Sequence, residues 1–307
     1  MDIFLQQIVN GLVQGSIYAL VALGYTMVYG IMGLINFAHG EVVMIGTLVT
    51  ITVAGSLIKA GMPVALAALA GLSVSLLLCM ALGLGLERIA YRPLRNAPRL
   101  TPLITAIGMS IVLQNLAMMI WGRNYLTFPA LLPKVNFELA GAHFTFIQVV
   151  IVLLSGATMA GLLGLIYRTK LGMAMRATAQ NPAVASLMGV NINRVIAAAF
   201  VIGSALGALA GVMVGTYYEI AHYQMGFMLG LKAFTAAVLG GIGNLAGAML
   251  GGLLLGLIEA LGAGYIGDLT GGFLGSHYQD IFAFIVLIVV LMFKPSGLFG
   301  EKTGDRA

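Results

Sequence analysis

Charge is what this sequence has least of. Only 8% of its 307 residues are Asp, Glu, Lys or Arg, whereas a soluble domain carries ~25%. So little charge cannot clothe a soluble surface, and an ordinary soluble domain is excluded. The single cysteine, Cys79, lies within an apolar run, which rules out a disulfide framework and leaves no metal-ligand spacing. There is no H-E-x-x-H, no paired-carboxylate constellation, no nucleophile elbow and no Walker loop. The glycine-rich GGIGN at Gly240 to Asn244 lacks the Lys-Ser/Thr ending that a phosphate loop requires. No catalytic residue and no metal site is therefore expected. Any energy input must come from an ion gradient or from a separate protein.

What is abundant is apolar surface. With 60% hydrophobic residues and a mean hydropathy of +1.04, the chain reads as an integral membrane protein. One transmembrane domain over 1–307 is expected, because no soluble block is large enough to bury its own core. A helical span needs about 20 mostly apolar residues, and candidates run over 8–30, 42–58, 63–86, 101–121, 145–167, 195–218 and 279–293. The first run is too long for a signal-peptide core, contains Asn10 and Gln14 and follows no basic stretch, so it counts as a span. Residues 227–262 are apolar but split by GGIGN into two pieces, each short for a span. Eight crossings, or seven plus a re-entrant hairpin, both fit. The runs are continuous rather than alternating, so the fold class is an all-α polytopic bundle and not a barrel.

A pI near 9.4 would suit nucleic acid, but the cations sit in short loops beside spans, where orientation explains them better. Arg88, Arg92, Arg95 and Arg99 share one loop; Arg168, Lys170, Arg176 and Arg194 share another; Lys294, Lys302 and Arg306 end the chain. These should face the cytoplasm. Connections around Lys59, at 122–144, at 219–226 and at 263–280 should face outward, with the amino terminus outside and the carboxyl terminus inside.

The segment 168–194 is the longest basic, amphipathic insert between apolar runs. Asn181 can cap a helix, Pro182 suits its first position, and Gly189 can end it in a left-handed turn. Val184, Leu187 and Met188 then share one face of a helix of about two turns. By spacing alone it docks a partner or lies on lipid headgroups. Gly203, Gly207, Gly211 and Gly215 recur every four residues, and Gly252 and Gly256 repeat the device. Such ridges let helices approach closely, within the chain or against a second membrane subunit.

Polar residues in apolar runs are costly and so informative. Asn36, His39 and Glu41 mark one break, MGLINFAHGE, and Asn244 marks the other, GGIGNLAGAM; the two share a glycine and an Asn-x-Ala step. Paired broken helices of this kind line the path of many transporters. Asn36, His39, Glu41, Asn244 and the deeper Glu259 are therefore candidates for a translocation path. For Glu41, Glu219 and Lys232 the competing expectation is an interfacial side chain reaching to water.

Three segments together, GYTMVYGIMGLINFAHGEVVMIG, RATAQNPAVASLMGVNINRV and AFTAAVLGGIGNLAGAMLGG, with the terminal KPSGLFG, resemble a bacterial branched-chain amino acid (leucine/isoleucine/valine) ABC transporter permease, the first of two membrane subunits. The likeness runs over nearly the whole chain. It implies a multi-pass protein of the bacterial inner membrane that moves branched-chain amino acids delivered by a periplasmic binding protein. The implied partners are a second related permease and two cytoplasmic ATPase subunits, which would carry the ATP and Mg that this chain does not bind. It also implies that Arg176 to Asn191 is the coupling helix seated in an ATPase groove. Related permeases move urea and short amides. The polar residues alone leave open an ion-coupled secondary transporter or a membrane scaffold.

Overall fold

Through its middle, helix α1 (Asp2–Met32) is apolar and buried on nearly every side: Ile17, Tyr18, Ala19, Leu20, Val21, Ala22 and Leu23 are each 3% exposed or less. An all-round apolar helix belongs at the centre of a bundle rather than at its rim. The computed structural model describes residues 2–95, 97–98, 100–139, 141–269 and 279–300. α1 packs chiefly on α10 (Leu245–Leu269), α8 (Ile192–Tyr218) and α9 (Met225–Gly240) and then on α5 (Phe146–Arg168), while α2 (His39–Lys59) packs mainly against α3 (Val64–Gly85), α8 and α9. α3, α4 (Leu100–Trp121) and α11 (Gln279–Phe293) lie further out, and α5 turns its other face outward beside them. Large apolar side chains such as Leu69, Leu77, Ile104, Met119, Leu153 and Ile288 stay exposed on this outer ring, as lipid-facing surface does.

Among the described residues, seven helices are long and apolar enough to cross a membrane. The protein is a multi-pass helical membrane protein. Residues 227–262 depart from expectation in one half only. α9 has 16 residues, but α10 has 25, so its apolar stretch runs past 262 and makes a full-length span. α9 is about 24 Å long, short of the ~30 Å hydrocarbon core. The chain enters it through a non-helical stretch after α8.

The two ends of the bundle differ. At one end β1 (Leu126–Thr127) pairs with β4 (Ile220–Ala221), and β2 (Asn136–Leu139) pairs with β3 (Ala142–Thr145) in a hairpin. Gln6 Oε1 accepts from the His143 backbone N–H at 2.9 Å, which fixes the start of α1 at this strand end. These strands fall in a connection whose structure the hydropathy pattern does not specify. At the opposite end Arg95 Nη1 donates to Asn193 Oδ1 at 2.5 Å, joining the loop after α3 to the start of α8. α10 is antiparallel to α1, with Gly264 beside Gln7 and Gly252 beside Ala19. Asn244 and the segment 294–300 therefore lie at this second end too. It carries Arg88, Arg92, Arg95, Arg168, Lys170, Arg176, Arg194 and Lys294, against Lys59, Arg123 and Lys134 at the strand end. Arg99, Lys302 and Arg306 lie outside the described residues.

The glycine ridges face neighbours within the chain. Gly252 sits on Ala19 and Gly256 on Gly15, backbone to backbone, with no room for a Cβ at either. Gly211 abuts the Val43 carbonyl and Gly215 the Phe128 ring just as closely, while Gly203 and Gly207 leave 3.4 Å to their nearest atoms. Substituting Gly252→Leu should force α1 and α10 apart and cost about 1–3 kcal/mol or more. Thermal unfolding in detergent should show a marked drop. Gly108→Ala, where a Cβ meets nothing within 4 Å, should leave the midpoint unchanged; equal midpoints for both variants would discard this packing account.

Candidate functional site

At the first break the chain does not loop out to water but turns into the bundle. α1 ends at Met32, Gly33 takes a left-handed φ of 64°, and α2 begins at His39 with its first twelve residues buried. Asn36 makes this possible. Its Oδ1 accepts from the Ala38 backbone N–H at 3.1 Å and from the Tyr91 hydroxyl at 2.9 Å, and its carbonyl accepts from His39 N–H at 3.0 Å. Otherwise the helix start would hold unpaired donors in an apolar interior. His39 packs edge-on against Tyr25, with centroids 5.0 Å apart, and fills the space that the absent side chain of Gly24 leaves.

Glu41 lies in the first turn of α2, where the helix dipole favours negative charge. It is fully buried rather than reaching to water. Ser110 Oγ on α4 donates to its Oε1 at 3.0 Å, and Gly226 on α9 clears space beside its Oε2. A cleft of about 400 Å³ between α4 and α9 opens beside Ser110, lined also by Phe37, Gln114 and Gln224. Asn36, His39 and Glu41 thus come together at one buried joint.

Asn244 is elsewhere. Its side chain lies at the cation-rich end, where Oδ1 accepts from Gly247 N–H at 3.1 Å and Nδ2 donates to the Phe299 carbonyl at 2.9 Å. Gly241 and Gly243 adopt φ of 105° and 98°, and the terminal segment lies directly on Gly241, with backbone bonds from Leu298 to Leu239 and from Phe299 to Gly240. The second break and the terminal KPSGLFG are one junction. Both breaks turn on a glycine and close with an asparagine oxygen, but only Asn36 of the two asparagines is buried.

Glu259 belongs to a third cluster. Its carboxylate has no exposed surface; Oε2 accepts from Tyr18 Oη at 2.7 Å and from Lys232 Nζ at 3.2 Å. One ion pair therefore ties α10, α1 and α9 together. Lys232, expected as an interfacial cation, is 16% exposed and points inward to this pair, with Nζ also 5.7 Å from the centre of the Tyr18 ring. Beside it lies a cavity of about 250 Å³, walled by Val214, Tyr218, Met225 and Leu229 and edged at the strand end by Tyr125 and His222. Hydropathy alone underrates Lys232. The usable signal is a lysine inside a helical run with water-seeking neighbours on neither side. Glu219, by contrast, is exposed and pairs with Lys134 at 2.5 Å.

The basic insert carries two short helices, not one. α6 (Lys170–Gln180) is capped by Thr169, whose Oγ1 accepts from Gly172 N–H at 3.1 Å, and it buries Gly172, Met175 and Thr178. Its amphipathic spacing is present in the sequence, but the Asn-Pro start of the next helix is the stronger local signal. α7 (Pro182–Leu187) begins as expected: Asn181 Oδ1 accepts from Val184 N–H at 3.1 Å, and Gly189 turns at φ 85°. Ala185 anchors it, while Val184, Leu187 and Met188 stand 53%, 87% and 81% exposed. Arg176 lies over the Tyr167 ring at 5.1 Å.

Asn36→Ala should strand two buried donors, the Ala38 N–H and the Tyr91 hydroxyl. The cost is about 1–3 kcal/mol for each. Tyr91→Phe removes its own donor along with the bond and should cost less. Unfolding midpoints of the two variants test the ranking, and an Asn36→Ala protein as stable as the parent would dismiss the role given to this oxygen.

Residues 7–291 match the family described as branched-chain amino acid transport system / permease component. The chain is 48% identical to the high-affinity branched-chain amino acid transport system permease protein BraD of Pseudomonas aeruginosa, over 99% of this chain and 98% of that one. It is 45% identical to the corresponding protein LivH of Escherichia coli, over 99% and 97%. A more distant likeness, 28% over 75% of this chain, reaches the xylose/arabinose import permease protein XylH of Sulfolobus acidocaldarius, 56% of which is covered. With both the fold and nearly its full length accounted for, the chain belongs to the branched-chain amino acid transport system permease family.

Proposed function

We propose that this chain is the membrane-spanning subunit of an ATP-driven importer of branched-chain amino acids in the bacterial inner membrane. It works with a second, related permease, a periplasmic binding protein that delivers the solute, and two cytoplasmic ATPase subunits that hold the ATP and Mg. The high identity to BraD and LivH over their full lengths supports the solute class. The observation that carries the mechanism is the apolar knob on α7. Leu187 and Met188 are more than four-fifths exposed, and they project from the end of the bundle that gathers the cations. By the positive-inside bias that end faces the cytoplasm.

An exposed Leu-Met pair on a bare helix loses free energy to water, and burying both in a partner's groove recovers it. The flanking Arg168, Lys170 and Arg176 suit acidic rims on such a groove. Stiffness comes from the caps. Thr169, Asn181 and Asn191 each close a helix start, so α6, α7 and the beginning of α8 move as one lever. Nucleotide-driven closure of the ATPase pair then pushes α7, and α8 passes the motion to the glycine-packed centre. The buried joint of Asn36, His39 and Glu41, together with Glu259, is assigned to the moving path; Asn244 contributes by holding the terminal segment.

Leu187→Asp tests this reading. The variant should insert and fold normally, while ATPase retention on purification falls at least about tenfold, equivalent to ~1.4 kcal/mol, and leucine uptake in reconstituted vesicles falls with it. Normal uptake with the ATPase still bound would remove the docking assignment. Uptake by the chain alone, indifferent to ATP and abolished by a protonophore, would replace the importer with an ion-coupled carrier.

A further inference from the structure

We propose that the cavity between α1, α8 and α9, floored by Tyr18 and Lys232, is a transit site that receives a zwitterionic amino acid on its way through the membrane. The proposal rests on the importer reading and adds the residues and the recognition chemistry.

Three observations converge. First, the cavity of about 250 Å³ is edged by Tyr125 and His222, which puts one side of it at the strand end, opposite the α7 knob. A solute delivered from outside would arrive there. Second, its apolar walls include Val214, Met225, Met228 and Leu229, surfaces that suit a branched aliphatic side chain. Methionine is adaptable enough to accommodate several branched shapes. Third, its floor holds opposite charges 3.2 Å apart, and only one of them reaches the cavity: Lys232 is 16% exposed, Glu259 not at all.

That asymmetry sets the orientation of the ligand. Its carboxylate meets the Lys232 ammonium, and its own ammonium turns to the phenol oxygens and ring faces of Tyr18 and Tyr218, which attract cations. The ligand itself carries one charge of each sign. No net charge enters the low-dielectric interior, and that avoids the main cost of moving a charged solute there. Glu259 also tempers the site. Its negative charge offsets part of the attraction between Lys232 and the incoming carboxylate, and a path must bind weakly enough to release. A bare lysine would hold the solute; a paired one passes it on.

The test uses the chain assembled with its permease, ATPase and binding-protein partners in vesicles. Leu229→Cys is made in a Cys79→Ala background, and its reaction with a water-soluble thiol reagent is timed. Leucine should slow the reaction severalfold, leucinamide, which lacks the carboxylate, should slow it much less, and urea should have no effect. Equal rates with and without leucine, or equal protection by leucinamide, overturn the proposal. The neutral double variant Lys232→Met/Glu259→Gln, which strands neither charge, should lose leucine protection and about tenfold of leucine uptake, the loss of one charge-assisted contact. Full protection and uptake in that variant would make the pair a purely structural tie and defeat the proposal. If it does not assemble, the comparison of leucine with leucinamide in the intact pair decides alone. A parent complex that takes up no leucine refutes the importer reading; one that takes it up without protecting Leu229→Cys refutes only this site.

Discussion

The bundle depends on one helix being approached at backbone distance. In lipid no hydrophobic force draws helices together, so their association rests on close packing and on polar contacts between them. α1 receives α10 along Gly11, Gly15 and Ala19, where Gly256 and Gly252 remove the opposing side chains. α8 answers on α2 through Gly211 and Gly215. Leucine at any of the tight positions would replace a backbone contact with a collision. With α1 so enclosed, what it presents to its neighbours is fixed: Tyr18 toward Glu259 and Lys232, Gly24 and Tyr25 toward His39.

Polar groups occupy this tight interior only where they complete a helix end or balance a charge. Asn36 closes the joint from which α2 starts inside the bundle. Glu41 sits in a first turn with a serine donor, and Glu259 is held by a lysine and a phenol. In the mechanism proposed above, each lies between helices that the α6–α7 lever would shift relative to one another. Such contacts are strong when aligned and costly when broken. They therefore suit a protein that must hold defined alternative arrangements rather than drift between them.

The membrane class, the all-α fold, most span limits, the asymmetric cations and the capped start of α7 were legible because each depends on local sequence. A hydrophobic run, an Asn-Pro pair or a glycine every fourth residue acts on its own neighbours. The candidate residues were legible individually and misleading as a set. Asn36, His39 and Glu41 do meet, but Asn244 serves the carboxyl-terminal segment, and Glu259 has its real partners on α1 and α9. Lys232 looks interfacial in the sequence because hydropathy carries no information on what lies across the bundle. The full length of α10 is hidden because Gly262 and Gly264 look like a helix end, although Gly264 in fact makes room for Gln7 of α1.

Local sequence suffices to put the chain in a membrane as helices, to gather its cations in one set of connections, and to set a short amphipathic helix between two spans. These come from the cost of unpaired backbone in lipid and from charge placement, and neither requires knowing a neighbour. That the first span lies at the centre, that α2 begins inside the bundle, and that Tyr18, Lys232 and Glu259 meet in one cluster follows from packing alone. Those facts depend on which glycine meets which backbone across long separations in the chain, and an ion pair between residues 27 apart with a tyrosine 241 residues from its glutamate exists only once the helices have packed.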